Sequence, residues 1–432
     1  MAISTTAEEV QRKGGIAVPT PSPQRWRLPP TGRIGLIVFL LLCVMANARQ
    51  VAWYWSHGPA DSDLKIFLTG LEVIRSGERL HFYNFDVHRE VQTRLYPETR
   101  QTGYLAFNHL AYELLLYWPL TWFAFATAQK LWGLLNLGLV FLIAWLLKPL
   151  TRDLWESFRT PLPLWLLAFY PVPMVLGQGQ DSLIFLTFVL LSLRFAESER
   201  DYAAGFLLGL VLFKVHLALG IGFFVFVLPR KWRAIAGFAS SAVLVTGISR
   251  LMVGPRFVGD YLNILRQQEA MTPWGFIPRF MPNLRGLLQW GLAQWLDIGS
   301  TLPLILLLSL LVVAGTWVAL RVRRDVTPGE LYSTGILATL LVSYHMHMQD
   351  LSLAILPMFV LLDAGAGGKL AEKWTWVGIL SIAALYFYGA ATWPFPTLAV
   401  RGALLALPVL LLWFVAVGSS ITRELKGGAR TS

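Results

Sequence analysis

Two histidines and a carboxylate lie close together in the stretch "YHMHMQD". His345 and His347 alternate with methionines, and Asp350 follows three residues after the second histidine. Imidazoles at this spacing are typical of a metal-ligand pair, but a metal site needs a further ligand from another part of the chain. The stretch therefore predicts one of three roles, which are metal binding, contact with a bound substrate, or structural hydrogen bonding.

A second candidate group begins the stretch "SDLKIFLTGLEVIRSG", from Ser62 to Gly77. Its apolar residues repeat at helical spacing, which predicts an amphipathic helix that lies on the membrane surface rather than crossing it. Asp61 and Asp63 stand at its start, where aspartates commonly act as caps. Residue type alone therefore assigns no chemistry to Asp63.

Further polar groups interrupt apolar sequence later in the chain. Lys214, with His216 two residues on, stands inside "AAGFLLGLVLFKVHLAL". A charge near the bilayer centre costs roughly 2.5 to 3.5 kcal/mol, and snorkelling lowers that cost. The glycines of "GQGQD" predict a tight turn whose Gln178, Gln180 and Asp181 are candidates to line a cavity.

The composition identifies the elements that must position these groups. Of 432 residues, 55% are hydrophobic and only 14% are charged, which lies outside the range of soluble proteins. The net charge of +11 comes from short basic clusters between apolar runs, so it indicates membrane topology rather than nucleic-acid binding. The single cysteine, Cys43, cannot form an intramolecular disulfide. We therefore predict an all-α polytopic membrane protein.

Apolar runs long enough to cross a hydrocarbon core predict about twelve transmembrane helices. Basic clusters in short loops, such as "RKWR" and "RVRR", place those loops and both termini in the cytoplasm. We therefore expect a cytoplasmic tail over residues 1–31, a single transmembrane domain over residues 32–418 and a second cytoplasmic tail over residues 419–432.

Two long segments, about 56–125 and 254–299, are predicted on the outer side, where long loops commonly carry function. All seven histidines fall at or near this face. The grouping predicts a polar cavity that opens outward. Residues 107–125 are apolar enough to span the membrane, but we expect them to form a helix that lies at the outer surface.

Five motifs, in order, resemble glycosyltransferase family 87, a DUF2029-type group of mannosyltransferase-like integral membrane enzymes of the GT-C superfamily. They are "DLKIFLTGLEVIRSGERLHFYN", "FNHLAYELLLYWPL", "GQGQDSLI", "AAGFLLGLVLFKVHLAL" and "SYHMHMQD". His109, Leu110 and Val215 stand where the family commonly has prolines. The resemblance covers most of the chain from Trp55 to Leu362 and implies a GT-C-like fold with amphipathic helices on the outer face.

The resemblance implies transfer of a hexose, with mannose expected, from a polyprenyl-phosphate sugar to an acceptor hydroxyl. The position that matches the family's proposed catalytic base is Asp63, which would take the proton of the attacking hydroxyl. The leaving lipid phosphate is stable as an anion, so no second carboxylic acid is needed. Single-step attack from the opposite face would invert the anomeric centre.

Cations are expected to hold the donor phosphate. Lys214 with His216 is the first candidate, and Arg279 and Arg285, which flank a helix capped by Asn283, are expected to add bidentate contacts. The residues predicted to contact the rest of the substrate are His345, His347, Asp350, Gln178 and Gln180.

We expect an enzyme of the plasma (inner) membrane with an extracytoplasmic active site. Its partners would be the polyprenyl-phosphate sugar, a glycolipid or glycan acceptor and membrane lipids, without nucleic acid. No metal ligands and no cofactor beyond the lipid-linked donor are assigned, and dependence on a divalent metal stays open. The alternatives are a transporter or lipid flippase, which often shows internal repeats that this chain lacks, and a structural subunit, which would need no outer polar clusters.

Overall fold

The computed structural model describes residues 27–98, 103–270, 277–293, 295–296, 298–323, 325–392 and 401–428, so most of the predicted amino-terminal tail and residues 429–432 lie outside it. Every regular element in the described residues is helical, which confirms the predicted class. In chain order, the α-helices are α1 (Pro30–His57), α2 (Leu64–Arg75), α3 (Phe85–Leu95), α4 (Leu114–Tyr117), α5 (Phe125–Leu147), α6 (Arg152–Phe158), α7 (Leu162–Ala168), α8 (Pro171–Gln178), α9 (Ser182–Glu197), α10 (Asp201–Gly209), α11 (Val215–Gly222), α12 (Trp232–Val253), α13 (Phe257–Ala270), α14 (Leu284–Gly291), α15 (Ile298–Val322), α16 (Pro328–Val342), α17 (Ile355–Ala366), α18 (Glu372–Thr392) and α19 (Ala406–Gly428).

Within the described ranges, seven helical stretches are long and apolar enough to cross a membrane. They are Pro30–Arg75, Phe125–Leu150, Trp232–Val253, Gly299–Val322, Met348–Ala366, Glu372–Thr392 and Gly402–Ile421. An eighth crossing would need Asp201–Gly209 and Leu212–Val227, which are bent by 69°, to act as one span. Helices α9 and α16 are shorter, at 16 and 15 residues, and largely buried. The membrane class is confirmed, and the number of about twelve crossings stays a prediction.

The helical backbone is interrupted between α10 and α11, at Leu210 and Val211. A broken helix frees backbone groups that lipid cannot satisfy. One phenol satisfies two of them, because the Tyr112 hydroxyl donates to the Leu210 carbonyl oxygen at 2.8 Å and accepts from the Phe213 amide at 2.8 Å. Lys214 follows directly and is buried, so its ammonium enters the protein interior from a bend rather than from the end of a span.

Helix α2 is amphipathic as expected, and its place at a membrane surface stays a prediction. Its apolar face is covered by protein, since Phe67 stacks on Tyr117 with 3.9 Å between ring centroids. Gly70 lies against Leu114 and Phe82, and most of the helix is buried. Periodicity in the sequence marks the apolar face of a helix but does not say whether lipid or protein covers it.

The segment that covers α2 is the apolar stretch that was expected to lie flat. It forms three short helical turns, Ala111–Glu113, Leu114–Tyr117 and Trp118–Trp122. Twelve helical residues extend about 18 to 24 Å, which is less than the roughly 30 Å of a hydrocarbon core. The three turns are therefore too short to cross by themselves, and Leu114 and Tyr117 pack against α2.

Helices α10 and α12 approach each other so closely that only glycine fits between them. A Cβ on Gly205 would lie 1.8 Å from the Ala234 carbonyl oxygen, and one on Gly237 would lie 2.0 Å from the Tyr202 carbonyl oxygen. Small residues at helix interfaces are typical of membrane proteins, where close backbone packing drives association. This contact fixes the position of α10, which leads into the bend before Lys214.

Gly205→Ala and Gly237→Ala are expected to lower the free energy of unfolding by about 1 to 3 kcal/mol each, because the added methyl group overpacks the interface. Gly247→Ala is the matched control, since it lies on α12 with open space around its Cβ position. It should be neutral or slightly stabilising. Thermal unfolding of the purified protein in detergent measures all three, and equal losses would contradict the close approach.

The polar turns predicted to share one face do converge. The start of α2, the turn "GQGQD", the bend before Lys214 and the stretch "YHMHMQD" meet around one cavity. At the opposite end of α17, Lys369 pairs with Asp153 at 2.9 Å and lies 3.9 Å from Asp363. The molecule therefore has one end with a polar cavity and another with surface ion pairs.

Candidate active site

A cavity of about 1000 Å³ lies at the junction of these turns. Eight of the ten residues predicted for the site contribute to its walls. They are Asp63, Gln178, Gln180, Lys214, His216, His345, His347 and Asp350. Residues from α1 and α18 complete the lining, so the cavity is enclosed partly by polar turns and partly by apolar helices.

Asp63 occupies the position before α2, yet its side chain makes no capping hydrogen bond. The Ser62 hydroxyl instead accepts from the Leu64 amide at 3.3 Å. The Asp63 carboxylate lies in the cavity wall, where its Oδ2 accepts a hydrogen bond from Gln180 Nε2 at 2.6 Å. The capping explanation is therefore wrong for Asp63, whose carboxylate is available for chemistry.

The turn "GQGQD" brings Gln180 to Asp63. Gly179 has φ of +81°, a left-handed conformation that favours glycine, and a Cβ there would lie 2.7 Å from the Leu64 side chain. The Ser62 hydroxyl donates to the Gln178 carbonyl oxygen at 2.9 Å, and Trp132 Nε1 donates to the Gln180 carbonyl oxygen at 2.9 Å. The turn is therefore held to the start of α2 on one side of Gly179 and to α5 on the other.

Lys214 is buried among polar partners in the cavity wall. Its Nζ lies 2.9 Å from Asp181 Oδ1, donates to Ser182 Oγ at 2.7 Å and pairs with Asp350 Oδ1. Asp350 Oδ2 also accepts from the His347 amide at 3.0 Å. Structural hydrogen bonding is thus the observed role of Asp350. Two carboxylates already offset the charge of Lys214. We expected this ammonium to contact the donor phosphate instead.

Lys214→Met is expected to lower the free energy of unfolding by about 3 to 5 kcal/mol, because it leaves two buried carboxylates without their cation. Lys369→Met is the control, since Lys369 is 57% exposed and its pair with Asp153 should contribute less than about 1 kcal/mol. Denaturant or thermal unfolding in detergent compares the two. If the Lys214 variant lost no more stability than the Lys369 variant, the ion pair would not hold the fold.

Three histidines group on one wall of the cavity. The rings of His216 and His345 lie 6.1 Å apart, and those of His345 and His347 lie 4.4 Å apart. Burial lowers the pKa of His345 well below its usual range, and the neighbouring His347 lowers it further. Burial also lowers the pKa of His347, although Asp350 opposes the shift. At neutral pH this wall therefore offers neutral imidazoles that donate and accept hydrogen bonds.

Arg279 and Arg285 do not line the cavity, which corrects their expected position. Arg285 pairs with Glu269, donates from Nε to Gln289 at 3.0 Å and covers the Tyr344 ring. Arg279 is exposed and lies over the Phe280 ring. Arg285 contacts other segments and Arg279 is exposed, so their positions beside a capped helix did not predict the directions of their side chains.

The predicted cap of that helix is confirmed. Asn283 accepts from the Gly286 amide at 2.7 Å, and its own amide nitrogen donates to the Ser343 carbonyl oxygen at 2.7 Å. The cap therefore joins α14 to the stretch that carries His345 and His347.

Sequence reasoning missed two polar groups near the cavity. Arg49 lines it from α1, and the signal available was a cation inside the first long apolar run. Glu113 is fully buried behind the wall, where its Oε2 lies 2.6 Å from His109 Nδ1. Burial and the neighbouring Asp181 raise the pKa of Glu113 well above its usual range. The sequence feature that could have identified Glu113 is its position as a lone acidic residue inside "AYELLLYW".

A family model for glycosyltransferase family 87 matches residues 113–343, which is more than half of the chain. The chain belongs to glycosyltransferase family 87. It is a membrane glycosyltransferase by family, and its long apolar helices agree with a location in a membrane. No curated protein and no solved structure matches it.

The residues matched to glycosyltransferase family 87 include Gln180 and Lys214 but begin after Asp63 and end before His345. The fold joins the unmatched groups to the matched ones through two contacts. Gln180 bonds to Asp63, and Lys214 bonds to Asp350. The cavity is therefore built from both parts of the chain.

Proposed function

We propose that this member of glycosyltransferase family 87 transfers a hexose, with mannose expected, from a polyprenyl-phosphate sugar to an acceptor hydroxyl with inversion. The observation that carries the proposal is the Asp63 carboxylate, which lies in the wall of a large cavity and is oriented by Gln180. A carboxylate so placed can serve as general base for an incoming hydroxyl.

In the proposed reaction the acceptor oxygen attacks the anomeric carbon while the bond from that carbon to the lipid phosphate breaks. Gln180 occupies Asp63 Oδ2, so Oδ1 is the oxygen left to take the hydroxyl proton. The electron pair of the broken bond leaves on the phosphate, which is a stable anion and needs no acid. A single displacement of this kind inverts the anomeric centre.

The cavity lining supports a lipid-linked donor. Ala46 and Trp53 of α1, Met174 of α8 and Gly389 of α18 give it an apolar wall suited to an isoprenoid chain. Arg49 lies on the same side and supplies a guanidinium that can bind phosphate in bidentate geometry. We therefore place the donor phosphate near Arg49, with the sugar directed toward Asp63.

The proposed sidedness follows from the charge bias of the short loops. Basic clusters mark the cytoplasmic side, so the turns around the cavity, which hold no lysine or arginine in "GQGQD" and "YHMHMQD", face the extracytoplasmic side of the plasma membrane. Mannose is the expected sugar by resemblance to the family. The acceptor is a glycolipid or glycan hydroxyl.

Asp63→Asn is expected to abolish transfer of labelled sugar from polyprenyl-phosphate mannose to extracted membrane lipids, because the amide keeps the size of the side chain and cannot take the proton. Asp86→Asn is the control, since the exposed Asp86 lies on α3 and pairs with Arg89 at the surface. Its transfer rate should equal that of the parent protein.

Two results would contradict this assignment. Transfer by a folded Asp63→Asn variant at the parental rate would remove Asp63 as the base. No transfer by the parent protein with several donor sugars and acceptors would favour the transport alternative.

Gln180→Leu is expected to lower kcat by about 100-fold while KM changes little, because the side chain orients the base and does not itself bind the substrate tightly. Gln289→Leu removes an equally buried amide that bonds to Arg285 outside the cavity, and it should leave kcat unchanged. Steady-state kinetics on both variants separates the two effects. A large rise in KM with normal kcat would instead make Gln180 a binding residue.

A further inference from the structure

Three potential metal ligands converge behind the cavity wall. His109, Glu113 and Asp181 each place a ligand atom within 4.8 Å of the other two. His109 Nδ1 lies 2.6 Å from Glu113 Oε2 and 3.9 Å from Asp181 Oδ2. The histidine is 20% exposed and lines the cavity, whereas both carboxylates are fully buried. The group therefore lies directly behind the cavity wall, and His109 connects it to the cavity.

Two oxygens in this group lack the partners that buried carboxylates need. Within the part of the chain that the structure describes, neither Glu113 Oε1 nor Asp181 Oδ2 accepts a hydrogen bond from an N–H or hydroxyl group, and the two carboxyl groups interact with each other. A buried polar atom without a partner costs roughly 1 to 3 kcal/mol, and more when it is charged. With His109, the two carboxyl groups offer ligand atoms within 4.8 Å of one another, which indicates that a ligand belongs there.

Acidic side chains outnumber the basic one around this space. Glu113, Asp181 and Asp350 are three buried carboxylates, and the cation that contacts two of them is Lys214. Lys214 Nζ approaches Asp181 from the side of Oδ1, which leaves Oδ2 facing His109. Glu113 and Asp181 repel each other across this space, and a doubly charged cation between them would relieve that repulsion.

We propose that His109, Glu113 and Asp181 bind a divalent first-row transition metal ion such as Mn²⁺ or Zn²⁺. An imidazole with two carboxylates suits these ions better than Mg²⁺ or Ca²⁺, which prefer all-oxygen ligands. Three protein ligands leave a coordination position open, and His109 brings the site to the edge of the cavity.

The ion would also join two separate parts of the wall. His109 and Glu113 belong to the segment that covers α2, whereas Asp181 begins α9 and directly follows Gln180. Binding of the metal therefore fixes the turn whose amide orients Asp63, and it raises thermal stability even when no substrate is present.

The test uses the full-length protein in detergent, stripped with a chelator and titrated with Mn²⁺ alone. Electron paramagnetic resonance follows the loss of the free-ion signal, and thermal unfolding is measured in parallel. We expect saturable binding of about one ion per chain, a higher Tm, and displacement by Zn²⁺, which binds such sites more tightly. No saturable binding by the parent protein would overturn the proposal.

Variants locate the ion. Glu113→Gln is expected to weaken binding about tenfold or more, and His109→Gln, at a partly exposed position, gives the same comparison if the first variant does not fold. Glu78→Gln is the matched control, because Glu78 and His81 form a similar pair on the surface, at 3.0 Å. Equal affinity in the parent protein and the folded site variants would place the ion elsewhere and refute the assignment. These readouts are independent of sugar transfer.

Discussion

The buried contact of Lys214 with Asp181 and Asp350 is the constraint on which the cavity depends. The three residues come from the bend between α10 and α11, the start of α9 and the stretch before α17. Burying charges is costly unless each finds its partner in good geometry, so these segments have few ways to pack. Since Asp181 adjoins Gln180 and Asp350 bonds to the His347 amide, two walls of the cavity are set by one ammonium group.

Local features of the site could be predicted from the sequence because they depend on neighbours along the chain. The apolar stripe of α2, the Asn283 cap and the turn "GQGQD" are of this kind. What covers the stripe could not be predicted, because Tyr117 and Leu114 reach α2 only through tertiary packing. The resemblance to a known family singled out Asp63, and the structure adds the Gln180 contact that orients it.

The directions of charged side chains were the least predictable part. Arg285 turns to Glu269 and Tyr344 rather than to the cavity, although its helix has the expected cap. Lys214 was expected to contact the donor phosphate, but it is paired with carboxylates that are distant in sequence. Glu113 gives a weak signal, since one acidic residue in an apolar run does not reveal that His109 and Asp181 lie beside it. Long-range ion pairs leave no periodic pattern in a single sequence.

The Tyr112 hydroxyl, which hydrogen-bonds to the backbone at the helix interruption before Lys214, also has a consequence for biosynthesis. The Tyr112 hydroxyl lies 98 positions ahead of the Leu210 carbonyl oxygen to which it donates. A chain that enters the bilayer from its amino terminus therefore presents the hydroxyl before the break itself is made. The bent pair therefore has an internal hydrogen-bond partner available when it is made, and lipid could not supply one.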